Sequence, residues 1–123
     1  MKRFFLIFAA VSGLLAVVMG AYTSHGLMHL APGQIDNLNT AINYQFIHTL
    51  ALLFAVLLPS STWSKLAGLF FIIGITLFSF TIYLKTLDNN FAYIGFLTPF
   101  GGFGLILGWA SLLIIGLTGQ HNK

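Results

Sequence analysis

The stretch Leu66–Leu84, LAGLFFIIGITLFSFTIYL, runs 19 residues between Lys65 and Lys85 without one charged side chain. A hydrocarbon core about 30 Å thick is crossed by about 20 apolar residues of helix. Working outward, three more runs of this kind appear, Phe4–Tyr22, Ala41–Leu58 and Phe91–Leu117. In hydrocarbon no water satisfies a backbone N–H or C=O, so each run must close its own hydrogen bonds as a helix. The expectation is an all-α, four-helix transmembrane bundle. It forms a single polytopic domain over residues 1–123, with helices at about 3–22, 40–58, 65–86 and 99–117.

Composition agrees. Charged residues make up 6% of the chain and hydrophobic ones 58%, whereas a soluble domain carries about a quarter charged residues. Lipid must therefore be the solvent for most side chains, and the bilayer is the first partner. The net charge of +3 comes from cations that form no stripe, so a nucleic-acid partner is not expected. The chain has no cysteine, which excludes disulfides, thiolate chemistry and iron–sulfur ligation. Lys2 and Arg3 could open a signal peptide, but the apolar run behind them exceeds the usual 7–15 residues. It is read as a retained span.

The breaks between runs carry turn chemistry. Pro32-Gly33 interrupts the polar stretch Thr23–Asn39, and an amphipathic turn near Gln34 leads into the second helix. Pro59-Ser60-Ser61-Thr62 reads as a short turn, with Ser64 capping the third helix. Asp88-Asn89-Asn90 is the next turn. Phe91–Leu117 would be roughly 40 Å long as one straight helix. Thr98-Pro99 offers a break, with threonine as cap and proline in the first turn. Phe91–Leu97 then becomes a short interfacial segment before the last span. With four crossings, Lys2, Arg3, Lys65 and Lys123 share one side and Lys85 lies opposite, which places both termini in the cytoplasm.

Two kinds of helix face stand out. Small residues recur at helical spacing, with Gly13 and Gly20 alongside Ala9 and Ala16 in the first helix, and Gly101, Gly104 and Gly108 in the fourth. These read as packing seams that let backbones approach in lipid. Polar stripes run along the second helix (Asn37, Tyr44, His48, with Gln45 beside them) and the third (Thr76, Ser79, Tyr83, Thr86). Intramembrane polar groups turn inward, so the stripes should face each other or the fourth helix. With His25 and Thr98 they converge on the outer half of the bilayer as an outward-facing polar pocket.

His48 is the sharpest candidate, since an ionisable residue inside a span marks a functional site by default. The plainer reading is a neutral imidazole bonded to Tyr44, Gln45 or the third helix. His25 and His29 are four apart, but Gly26 and Pro32 weaken the helix and no third ligand follows, so no metal site is expected. His121 sits in a polar tail. No paired acids, phosphate-cradling glycine loop or triad spacing appears, which leans against an enzyme, and no cofactor is implied.

Several stretches together resemble a known family. They are Gly20-Ala-Tyr-Thr-Ser-His25-Gly-Leu27, Thr40-Ala-Ile-Asn-Tyr44-Gln45-Phe-Ile-His48, Phe78-Ser79-Phe-Thr-Ile-Tyr83, and Thr98-Pro99-Phe-Gly101-Gly102 with Trp109. In this order they are similar to domain of unknown function 423, the YgdD-like small bacterial inner-membrane proteins, which have a human mitochondrial-type relative. The chain departs at Thr23-Ser24, where the family more often has Gly-Ala, and at Phe80-Thr81, where it more often has Gly-Ser. The resemblance implies a four-helix, multi-pass protein of the bacterial inner membrane. It supplies no activity, substrate or cofactor. His25, Tyr44, Gln45, His48, Ser79, Tyr83, Thr98 and Pro99 are its motif positions here, without assigned roles.

Three functions compete. The leading one is a non-enzymatic protein that binds a partner, either a larger membrane protein or a second copy of itself, through the packing seams. The alternative is binding or transport of a small polar solute, ion or lipid headgroup at the pocket around His48. The third is an enzyme acting on lipid or quinone, which convergence of His48, Tyr44 and Tyr83 on an open cavity would favour.

Overall fold

The computed structural model describes residues 1–119; His121 and Lys123, named above, lie outside them. Four helices are long and apolar enough to cross a membrane, Lys2–His25, Pro32–Leu57, Thr62–Leu87 and Asn89–Thr118. The described residues contain no strand. The first helix packs on the second, the second on the third, and the fourth chiefly on the third.

Helix ends follow local chemistry. The second helix starts at Pro32, ahead of both Gln34 and residue 40. Proline suits the first helical position, where no N–H is needed, and the Gln34 side chain accepts from the Ala31 N–H at 3.0 Å. The third helix is capped by Ser61 rather than Ser64. Ser61 Oγ accepts from the Ser64 N–H (3.1 Å) while Ser64 Oγ accepts from the Ser61 N–H (2.9 Å), a reciprocal box that satisfies two otherwise free donors. The last span opens with a 3-10 segment, Asn89–Phe96, started by Asp88 accepting from the Asn90 N–H. Tyr93 and Phe96 are exposed on it, as aromatic residues are at a membrane interface. Its α-helical part is Leu97–Thr118, so the change of geometry precedes Thr98 and Thr98 is not the cap. Gly119, at φ 68°, closes the helix in the left-handed conformation.

The third helix is not uniform. Thr76–Phe80 forms a π-helical turn, which accommodates one extra residue and rotates everything after it. The buried positions include Gly68, Phe71 and Ile75 before it, Ser79 within it, and Ile82, Tyr83 and Thr86 after it. Thr76 is exposed and bonds its own helix at Ile72 O, so the expected stripe through Thr76 is broken there.

The fourth helix meets this turn at van der Waals distance. A Cβ on Gly101 would overlap the backbone of Leu77 and Phe78. One on Gly104 would stand 3.3 Å from the Gly74 Cα, and one on Gly108 would strike the Phe71 ring. Such close backbone approach replaces the hydrophobic drive that lipid cannot supply. In the first helix, Gly13 makes ordinary contact with the Thr49 methyl (3.8 Å), and Gly20 meets nothing within 4 Å. At Gly20 the expected packing seam is therefore absent.

Two stability changes follow. Gly101→Ala must move backbone rather than a side chain, and should cost about 1–3 kcal/mol, whereas Gly20→Ala should be neutral or slightly stabilising. Detergent-titrated unfolding of both variants measures the difference; equal effects would contradict the packing described. Thr23 Oγ1 is buried without a hydrogen-bond partner among the described residues. Thr23→Val keeps the shape and removes the orphaned hydroxyl. It should raise the unfolding midpoint, by about 0.5–1 kcal/mol in the same assay.

Candidate functional site: a groove between the second and fourth helices

The motif residues separate into several environments. Gln45 and Tyr83 point toward the first helix. The Tyr83 hydroxyl donates to Gln45 Oε1 at 2.5 Å, and Gln45 Nε2 donates to the Ser12 carbonyl at 2.8 Å and to Ser12 Oγ at 3.1 Å. Ser12 Oγ and Thr49 Oγ1 lie 2.8 Å apart. All four side chains are buried, so every amide group of Gln45 finds a partner in a network joining three helices. Ser79 Oγ donates to the Ala41 carbonyl, tying the third helix to the second. Thr98 and Thr81 share a 2.7 Å hydroxyl contact between the fourth and third. His25 ends the first helix, exposed and away from the others, and His29 lies exposed in the turn beyond it.

Tyr44, His48 and Pro99 do meet. With Phe78, Gly102, Phe103, Leu105, Ile106 and Trp109 they line a cavity of about 430 Å³ between the second and fourth helices. A second cavity of about 540 Å³ shares Trp109 and adds Ala51, Phe54, Leu112 and Leu113. The two run on as one groove with a largely apolar lining. Its rims include Phe103, Ile106 and Leu113, all more than half exposed, so the groove opens sideways, to where acyl chains would lie.

His48 sits at mid-depth, roughly 24 Å along the second helix from Pro32. It is only 6% exposed. Its Nδ1 is 2.7 Å from the Tyr44 carbonyl, which can only accept, so Nδ1 carries the hydrogen. Aromatic rings surround it. Tyr44 stacks at 5.7 Å, Phe71 tilts at 5.9 Å, and Trp109 meets it edge-on at 5.9 Å. Tyr44 in turn stacks on Phe78 at 4.6 Å. Phe78 and its neighbour Ser79 both lie in the π-helical turn, the one lining the groove and the other bonded to the second helix.

The expected single pocket is thus two separate arrangements, a closed polar network and a lateral groove. Sequence reasoning passed over Ser12, Thr49 and Phe71. Ser12 was findable, since it is the only hydroxyl between Phe4 and Tyr22 and shares a stripe with Ala9 and Ala16. The described residues hold no group of three or more His, Cys, Asp or Glu placed to bind a metal ion.

The separation can be tested. Gln45→Leu leaves the buried Tyr83 hydroxyl unpaired, while Ser12 and Thr49 keep each other, and should destabilise by about 1–3 kcal/mol, with Trp109 emission unchanged. His48→Phe should shift that emission through the direct ring contact. Equal shifts in the two variants would mean that the arrangements are not independent.

Residues 19–102 match the family described as protein of unknown function (DUF423), a range that contains all eight motif positions. Among curated relatives, the UPF0382 inner membrane protein YgdD of Escherichia coli K12 is 36% identical over 92% of this chain and 88% of its own length. A UPF0382 membrane protein of Haemophilus influenzae is 33% identical, covering 91% and 92%. One from Schizosaccharomyces pombe is 39% identical, covering 86% and 95%. No solved structure matches the chain. With relatives on this scale and four spans in place, the chain is a small multi-pass membrane protein that belongs to the DUF423 (UPF0382) family.

Proposed function

We propose that the protein is a non-enzymatic binding protein of a bacterial inner membrane that takes a lipophilic small molecule from the bilayer into the groove between the second and fourth helices. One observation carries this reading. His48, almost wholly buried, lies at mid-depth on a largely apolar groove that opens toward lipid. A polar group at that depth is costly unless it serves a purpose. Cavities of about 430 and 540 Å³ suit small-molecule sites, which run about 300–1,000 Å³. A partner helix, 10–12 Å across, would need more room. Aromatic walls favour a lipophile over a polar solute or ion, whose own hydrogen-bonding groups would find few partners.

Both termini are assigned to the cytoplasm. Lys2, Arg3 and Lys65 line one cavity at that end of the bundle, while Lys85 lies at the other end beside Asn37 and Asn89. This distribution supports cations inside.

Photo-crosslinking tests the groove. A benzophenone amino acid replaces Phe103 on the groove rim, or Leu14 on the lipid-facing side of the first helix. In cell membranes the Phe103 position should gain an adduct of less than about 1 kDa, enriched over Leu14. An adduct of protein size would overturn the small-molecule reading in favour of a partner subunit or a second copy. Equal labelling at both positions would remove the groove as a site.

A further inference from the structure

We infer that the molecule bound in the groove is a lipophilic phenol or hydroquinone whose ring hydroxyl donates a hydrogen bond to His48 Nε2. This rests on the groove reading above and names the chemistry of its occupant. Nδ1 is committed to the Tyr44 carbonyl. Both aspartates of the chain, Asp36 and Asp88, lie near helix ends, so no acid at the depth of His48 offers an imidazolium a counter-charge. In the neutral ring, Nε2 is then a lone-pair acceptor. No side chain or backbone group among the described residues bonds it. Thr23 Oγ1 is the only buried side-chain polar atom without a partner among the described residues, so Nε2 is reachable from the groove that His48 lines. On a lipid-facing wall a donor from a ligand supplies the bond that water would otherwise make.

The donor must arrive through the bilayer, because the groove opens sideways. Its body must be flat, since the space beside the imidazole is bounded by Tyr44, Phe78 and Trp109. Tyr44 and Phe78 stack on each other at 4.6 Å, and Trp109 stands edge-on to the imidazole at 72°. An aromatic guest extends this cluster of rings at the 4.5–7 Å spacings that such rings prefer. The lower cavity, with Ala51, Phe54 and Leu113 in its lining, offers an apolar path for a tail. A quinone carbonyl, itself an acceptor, would face Nε2 lone pair to lone pair and could pair only with the Tyr44 hydroxyl or the Trp109 N–H on the same lining, so the bond to His48 is what distinguishes the hydroxyl form. No bond is made or broken in this proposal.

The chain has two tryptophans, so Trp63→Phe leaves Trp109 as the sole reporter in the groove, and Trp109→Phe leaves Trp63 as a control for simple partition into lipid. The full-length protein in phospholipid nanodiscs is titrated with a decyl benzohydroquinone, kept reduced by ascorbate, and with its dimethyl ether, which has the same shape but no donor. Saturable quenching of Trp109 is expected, absent at Trp63, with the hydroquinone at least about tenfold tighter than the ether. His48→Phe keeps a ring in place and should weaken the hydroquinone to the level of the ether. Equal affinities would overturn the hydrogen bond while leaving the groove as a lipophile site. So would an undiminished preference in His48→Phe. Absence of saturation by either compound would overturn the groove itself. Should His48→Phe fail to fold, the ligand pair on the unsubstituted His48 decides the question alone.

Discussion

The architecture depends on the contact between the fourth helix and the backbone of the third. Gly101 and Gly104 let the two helix backbones touch where Gly74 and the π-helical turn lie. Apolar surface gains little by meeting apolar surface in lipid, so dispersion contact at short range must hold helices together. Drawn onto the third helix, the fourth does not close against the second. The space left over is the groove, lined from the third helix by Phe78, with Phe71 buried behind His48 and Trp109. A side chain at either glycine would loosen this contact and change the width of the groove with it.

The second helix divides the bundle chemically. Gln45 and Thr49 turn toward Ser12 and lock three helices through a satisfied network. Tyr44, His48 and Ala51 turn the other way, toward the fourth helix. His48 is oriented by its own helix through the Tyr44 carbonyl, so it needs no partner from the network. A three-helix wall lies on one side, and on the other the fourth helix is held to the third by close backbone contact and stands off the second, which leaves the groove between them. The wall keeps the imidazole in place while the rim, formed by Phe103, Ile106 and Trp109, remains in contact with lipid.

Much of this was legible in the residues. Long uncharged runs set the number of crossings, and Asp88 with Thr98-Pro99 marked the irregular entry to the last one. His48 stood out because an ionisable side chain is rare at such depth. Other features were less accessible. Tyr44 and Gln45 are adjacent in sequence, and nothing local says that one faces the groove and the other the network. Thr76 belonged to a regular stripe on paper, but the π-helical turn displaced the face after it. Thr98 suggested a cap, yet its hydroxyl meets Thr81 across helices, an interaction with no signature in spacing. Gly20 had the same local pattern as Gly101, and only the position of the neighbouring helix distinguishes them.

Read alone, the chain established what depends on solvent and on local bonding: four helices, their solution in lipid, and the ends where turns interrupt them. Hydrocarbon leaves a backbone no other choice, so composition suffices for that much. Which polar groups meet was decided by tertiary structure. Helical periodicity assigns a residue to a face within about half a turn, whereas a hydrogen bond is made or lost over less than 1 Å. Helix rotation, the single extra residue of the π-helical turn and the glycine contact together sent Gln45 to a closed network and His48 to an open groove.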